Sequence, residues 1–303
     1  MLIPVFFGVS LLTFMMIHLT PGNPVDVLLP DYASPEAAER LIQQLGLDKP
    51  LHEQYLVYMQ RTLRLDFGTS VRTNRPVSTE ILSRWPATVE LAAGAMVIAV
   101  CLGIPLGLIS AVKQYSLADY GSMFVALIWV CMPSFFLAVV LQLIFGMHLK
   151  WFPVFGRAGA WYTLAGFKTL IMPAFTAGSR SAAILARLSR SSMLEVLRQD
   201  YIRTARAKGL FERAVIYRHA LKNALIPTVT VIGLQIAYVL GGTFIVETVF
   251  ARPGVGRYAV TAIFQRDFPV IQATVLMIAF IYVLMNLLVD VVYTLLDPRI
   301  RYD

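Results

Sequence analysis

The stretch from Leu91 to Val112 reads LAAGAMVIAVCLGIPLGLISAV, 22 residues without a charged side chain. Coiled as a helix at about 1.5 Å per residue, it is long enough to cross a hydrocarbon core of about 30 Å. Four more apolar runs are comparable, at 1–19, 123–147, 224–246 and 270–296, and a weaker sixth covers 170–187. Lipid offers no partner to a backbone N–H or C=O, so these runs are predicted to be helices. A porin-like barrel would need many short alternating strands, and that pattern is absent. Of the 303 residues 57% are hydrophobic and 15% charged, whereas soluble domains carry about 25% charged residues. The sequence therefore describes an all-α polytopic membrane protein with six transmembrane helices, and it excludes a soluble enzyme.

The run from Met1 to Leu19 has no basic residues ahead of it, and Thr20-Pro21-Gly22-Asn23-Pro24 does not resemble a signal-peptide cleavage site. It is read as a retained transmembrane helix, with a few further residues expected before Met1. Cys101 and Cys131 lie inside apolar runs and are expected to be small buried hydrophobes.

Charge gives the topology. Between Ala186 and Lys222 there are nine basic residues against Glu195, Asp200 and Glu212, a net of +6 out of +8 for the chain. Segment 21–86 has seven basic and eight acidic residues, a net of −1. Basic loops stay in the cytoplasm, so 186–222 is placed inside and 21–86 outside. Six helices then put 148–169 and 247–268 outside, with the turn at Lys113 and the Arg299/Arg301 tail inside. The domains expected are a first transmembrane helix at 1–20, an extracytoplasmic helical subdomain at 21–86, and a five-helix core at 87–303 with a cytoplasmic loop at 188–222. Within 21–86, Ser34-Pro35-Glu36 reads as a helix start, followed by helix over 37–45 and a second helix over 52–65. Arg180 falls inside the sixth run, where a charge facing lipid is costly, so it is expected to face a translocation path or a partner subunit together with Gln235. Gln142 carries less weight because it lies near a helix end, and snorkelling from a helix end is the other reading of Arg180.

The basic loop is organised. Ser192 to Lys208 reads as one helix with Met193, Val196, Leu197, Tyr201 and Ala205 on its apolar face and Leu210 just beyond. Gly209 can take a positive φ and end it. Glu212 to Asn223 reads as a second helix with Val215, Ile216, His219 and Leu221 on or near one side. The contact face of this elbow is expected to run through Tyr201, Ala205 and Leu210. A lipid-surface amphipathic helix is the competing reading. DNA binding by a helix-turn-helix is excluded because membrane spans bracket the loop.

The run Asp200-Tyr201-Ile202-Arg203-Thr204-Ala205-Arg206-Ala207-Lys208-Gly209-Leu210, followed by Arg218-His219-Ala220-Leu221-Lys222-Asn223, resembles the cytoplasmic coupling loop of ABC importer permeases, in the dipeptide, oligopeptide and nickel branch. The general form of that loop is Glu-Ala-Ala, three residues, Gly, nine residues, then Ile-x-Leu-Pro. Ala205, Gly209 and Leu221 fit it, while Arg203, Thr204, His219 and Lys222 replace its Glu, first Ala, Ile and Pro. Further matching pieces are Leu45-Gly46-Leu47-Asp48-Lys49-Pro50, Asp66-Phe67-Gly68-Thr69-Ser70, Glu247-Thr248-Val249-Phe250, Pro253-Gly254-Val255-Gly256-Arg257 and Asp297-Pro298-Arg299. Asn23 and Leu65 depart from the Asp and Gly expected at those places.

The resemblance implies a type I ABC importer permease in a bacterial inner membrane, importing dipeptides or short oligopeptides. Its implied partners are a second homologous permease, two cytoplasmic ATPase subunits and an extracytoplasmic binding protein. It implies that Tyr201, Arg203, Thr204, Ala205, Arg206, Lys208, Gly209, Leu210 and His219 couple to the ATPase. No cofactor is expected. Nor is ATP hydrolysis, because Lys208-Gly209 runs in the wrong order for a phosphate loop. His18, His52, His148 and His219 show no metal-ligand spacing. Permeases for nickel chelates, glutathione or opines remain alternatives. So do an ion-coupled secondary transporter, for which Glu90 and Asp290 would be the relay acids, and a channel or scaffold subunit.

Overall fold

The computed structural model describes residues 2–19 and 48–296. In chain order the helices are α1 (Leu2–Leu19), α2 (Leu51–Leu63), α3 (Val77–Val112), α4 (Leu117–Cys131), α5 (Ser134–Leu141), α6 (Leu164–Leu197), α7 (Asp200–Ala207), α8 (Leu221–Gly242), α9 (Phe244–Val249), α10 (Val255–Gln265) and α11 (Phe268–Leu296). Two stretches, Gln142–His148 and Val215–Ala220, are π-helical. The described residues are all-α, with an isolated bridge between Thr69 and Pro76. They divide into two compact units, Met1–Pro86 with Gly254–Leu284, and Ala87–Pro253 with Met285–Asp303.

In the first unit, α2 starts after Pro50, which has no N–H to leave unpaired, and the chain turns where Leu65 takes φ +58°. This is the helix expected over 52–65. Its Tyr55 and Tyr58 hydroxyls meet Ser10 at 2.7 Å and Thr13 at 3.1 Å on α1. Val77 and Ile81 form a core with Val255, Val270 and Ile271. Beside it the buried Asp267 carboxylate accepts hydrogen bonds from the Ser70 hydroxyl and from the backbone N–H groups of Val71 and Arg72. The helix expected over 37–45, residues 21–24, 45–47 and the tail from 297 lie outside the described residues.

The second unit is built on a seam of small residues between α3 and α6. Gly94 meets Ala174, Gly103 meets Ala182 and Gly107 meets Ala186, so the two helices run parallel. A Cβ at Gly103 would stand 2.6 Å from the Ala182 carbonyl oxygen; the backbones are therefore in direct contact, as small-xxx-small packing allows in lipid. The 170–187 segment is helical as expected and extends further in both directions. Thr163 caps α6 by accepting from the Gly166 N–H at 3.1 Å, and Pro173 sits inside the helix.

Among the described residues, three helices are long and apolar enough to span a bilayer: Val77–Val112, Glu212–Gly242 and Phe268–Val289. The pair Leu117–Cys131 and Ser134–His148 makes a fourth if taken as one broken span, bent by 108°. The 123–147 run, expected to be one helical span, is thus broken in the middle. Pro133 supplies no N–H and drives Met132 out of the helical region, to φ −77°, ψ 123°. Cys101 and Cys131 are exposed on the surface of the chain, not buried. Lipid is itself apolar, so a thiol in a membrane run has no need to face inward.

Candidate functional site

The basic loop folds as an elbow, but not from two long helices. α6 continues to Leu197 and breaks at Arg198–Gln199, so residues 192–208 do not form one helix. α7 then occupies Asp200–Ala207, with Asp200 in the first turn and Arg206 in the last, each at the end of the helix dipole that favours its charge. Gly209 has φ +77°, as its place after Lys208 predicts, and a Cβ built there would meet nothing within 4 Å. Across this turn Arg206 grips Glu212 with two hydrogen bonds, of 3.2 and 2.7 Å. The guanidinium holds the Glu212 carboxyl below its usual range. The expected second helix is a short turn at Glu212–Ala214, the π-helical Val215–Ala220, and then α8 without a break.

The elbow is seated on its own chain. Ile202, Ala205, Val215, Ile216 and Ala220 pack with Met193 of α6 and with Leu108 and Ala111 near the end of α3. Ala205 is therefore interior and presents no outward contact area, because the apolar face of so short a helix is needed to hold it down. Tyr201 is exposed, and its hydroxyl accepts a 2.8 Å hydrogen bond from Asn223. Arg203, Thr204, Arg206, Lys208 and Leu210 are exposed and His219 is half-buried. The most protruding apolar group was not anticipated from sequence: Phe211 is 86% exposed at the tip of the elbow. Its signal was an aromatic residue directly after Gly209-Leu210, where the chain has just turned away from its core.

Arg180 and Gln235 lie on neighbouring segments of α6 and α8, but of the two only Arg180 lines the cavity between them. Gln235 Oε1 accepts a 2.8 Å hydrogen bond from Ser181, the residue after Arg180. The Arg180 guanidinium lies 5.9 Å from the centre of the Tyr238 ring, one turn beyond Gln235 on α8. Both Arg180 and Tyr238 line a cavity of about 230 Å³ bounded also by Trp129, Ser134, Thr176, Ser179 and Thr243. Gln142 does not line it. Its amide donates to the carbonyls of Val154 and Val249 at 3.1 and 3.2 Å, which ties the loop at Val154 to the end of α9.

Two ion-pair clusters hold the ends of the apolar stretch of α3. At one end Glu90 accepts from Arg157 at 2.6 and 2.9 Å and from Arg252 at 2.9 Å. The Arg252 side chain is 1% exposed and also donates to the Ala87 carbonyl. Burial lowers the pKa of this guanidinium, and the Glu90 charge is the main opposing influence. Nearby, Glu247 is buried and accepts from the hydroxyls of Thr88 and Thr243 at 2.8 and 3.2 Å. Glu90 is thus committed to two arginines and is not available as a relay acid; the Asp290 side chain lies outside the described ones. At the other end Asp119 accepts from Arg190 at 2.9 and 3.0 Å, from the Tyr115 N–H at 3.0 Å and from the Ser110 hydroxyl.

Residues 103–302 match the family described as "Binding-protein-dependent transport system inner membrane component", and residues 2–92 match its N-terminal region. The chain is 47% identical to the dipeptide transport system permease protein DppB of Alkalihalophilus pseudofirmus, over 100% of this chain and 97% of that one. It is 41% identical to the Escherichia coli K12 protein of the same name, over 100% and 96%. The glutathione transport system permease protein GsiC of Escherichia coli K12 is 42% identical over 99% and 96%. Among solved structures, an amino acid ABC transporter with histidines superposes with a TM-score of 0.54 over 74% of this chain and 95% of that one, at 16% identity, a likeness of fold. Family membership implies an importer of several subunits, in which this one is a multi-pass inner-membrane component with no ATPase site of its own. The chain belongs to the binding-protein-dependent transport system inner membrane components, as a permease subunit of the dipeptide/oligopeptide/nickel ABC importer family.

Proposed function

We propose that this permease lines the path of an ATP-driven importer for dipeptides or short oligopeptides and receives the ATPase stroke on the elbow at 198–222. The geometry at Gly209 carries the reading: a positive φ turns the chain so that Leu210 and Phe211 project while Ile202 and Ala205 anchor the elbow to α3 and α6. An exposed apolar knob on an anchored base suits a cleft in an ATPase subunit. Arg203, Thr204, Arg206 and Lys208 around it give orientation more than affinity, while Tyr201 and His219 stiffen the junction with α8. Relatives named for dipeptide, di/tripeptide and glutathione transport all lie at 41–47% identity, so short peptides are the substrate class and the binding protein makes the finer choice.

The importer pairs this chain with a second, related permease, two ATPases and a binding protein. Six spans are α1, α3, the broken pair α4–α5, α6, α8 and α11, with both termini in the cytoplasm. Residues 21–86 form an extracytoplasmic subdomain, the core is 87–303, and Arg180 and Gln235 border the path.

Gly209→Val tests the coupling role. No atom crowds the site, so the cost is backbone strain on the order of 1 kcal/mol, small enough for the chain to insert and assemble. The angle of the elbow, however, is lost. In liposomes holding the complete complex, peptide uptake should be abolished and peptide-stimulated ATP hydrolysis should fall towards the unstimulated rate. An unchanged ratio of ATP hydrolysed to peptide imported, at normal assembly, would overturn the assignment.

A further inference from the structure

We infer that Arg180 is a carboxylate-receiving station at mid-depth in the membrane, which takes the C-terminal carboxylate of a peptide in transit. The inference rests on the importer reading above and deepens it.

Depth comes first. α6 is continuous from Leu164 to Leu197, and Arg190 on it is fixed by Asp119 at the end of the apolar stretch. Arg180 lies ten residues earlier, about 15 Å along the axis and half of a hydrocarbon core of about 30 Å. The seam gives the same answer independently. Ala174 lies beside Gly94 and Ala182 beside Gly103, so Arg180 is level with the middle of the stretch between Glu90 and Ser110.

A guanidinium there is costly unless it faces water, protein or a ligand. This one is exposed and borders the 230 Å³ cavity. Among the described residues no carboxylate pairs with it, and its contact is the face of Tyr238. The rest of the polar lining is uncharged: Ser134, Thr176, Ser179 and Thr243. Thr176 and Ser179 direct their hydroxyl protons to carbonyls of their own helix at 2.8 and 3.0 Å. Among the described residues Arg180 is therefore the one charge in the cavity wall.

Such a site selects an anion and repels an ammonium group. The guanidinium fork matches a carboxylate with two parallel hydrogen bonds. The cavity is below the roughly 300 Å³ at which pockets for drug-sized ligands begin, so it holds one end of a peptide, the carboxylate end. The bond between Ser181 and Gln235 fixes α6 against α8 beside it.

The test uses the complete complex in liposomes, with radiolabelled dialanine as substrate, and compares wild type, Arg180→Gln and Arg180→Lys. The expected result is a tenfold or greater fall in maximal uptake for Arg180→Gln and a fall of about threefold for Arg180→Lys, which keeps the charge but not the fork. The concentration for half-maximal uptake should not move, because the binding protein sets it. Wild-type uptake by Arg180→Gln would overturn the inference. So would equal losses in both variants, which would mark a packing role, or loss of subunit co-purification, which would mark an ion pair to the second permease. A wild-type complex that imports no dialanine would instead break the importer reading.

Discussion

The two ion-pair clusters on α3 are built differently. At Glu90 one carboxylate holds two guanidiniums, and the Arg252 side chain is 1% exposed. At Asp119 one carboxylate holds one guanidinium, Arg190, which keeps 28% of its surface, as Arg157 does at the first. The first cluster ties α3 to the loops carrying Arg157 and Arg252; the second ties α3, the 113–116 turn and α4 to α6 just ahead of the elbow. Removing Glu90 strands the dry Arg252, whereas Arg157 and Arg190, each 28% exposed, can turn to water. The Glu90 end, with its second and fully buried guanidinium, is therefore the more firmly held of the two.

The sharpest way to break this contrast is Glu90→Gln. It strands the buried Arg252 and frees Arg157, and the loss expected is about 3–5 kcal/mol. Fluorescence-detected size exclusion after a heating series should show little or no folded complex. Asp119→Asn comes next, at about 1–3 kcal/mol, because the one cation it frees, Arg190, can reach solvent. Here the complex should survive heating better than Glu90→Gln, while uptake per ATP falls. Equal melting losses in the two variants would erase the distinction. The smallest perturbation assigns the sides. In a background with Cys101 and Cys131 replaced by serine, an impermeant maleimide applied outside should label cysteine placed at Ser34 or at the 77% exposed Tyr162, and should leave Tyr115 and Arg206 positions unlabelled. The reverse pattern would exchange the two ends and end the topology with them.

Much of the fold was legible because apolar length and basic charge are summed properties. Leu91–Val112 and 270–296 declare themselves as spans whatever their neighbours do, and a glycine after a basic helical segment announces the turn at Gly209. What the sequence hid depends on partners remote in the chain. Nothing local says that Glu90 waits for Arg157 and Arg252, or that Asp119 waits for Arg190. The break at Arg198–Gln199 was missed because apolar spacing runs on through it, and the inward turn of Ala205 depends on Leu108 and Ala111 being there to cover it. The α3–α6 seam did have a local sign, Gly103-Ile104-Pro105-Leu106-Gly107, which was absorbed into the apolar count.

Pro173 gives α6 a mechanical property. It is the one proline in the helix, where it removes a backbone hydrogen bond and softens the rod at that point. Arg180 is seven residues from it and Leu197 is 24, distances of about 10 and 36 Å. Any rotation of the segment about Pro173 therefore moves the elbow end between three and four times as far as it moves Arg180. If the elbow receives a stroke as proposed, α6 would act as a lever with its fulcrum on the far side of the cavity, turning a long stroke at the elbow into a short, forceful one where the charge sits.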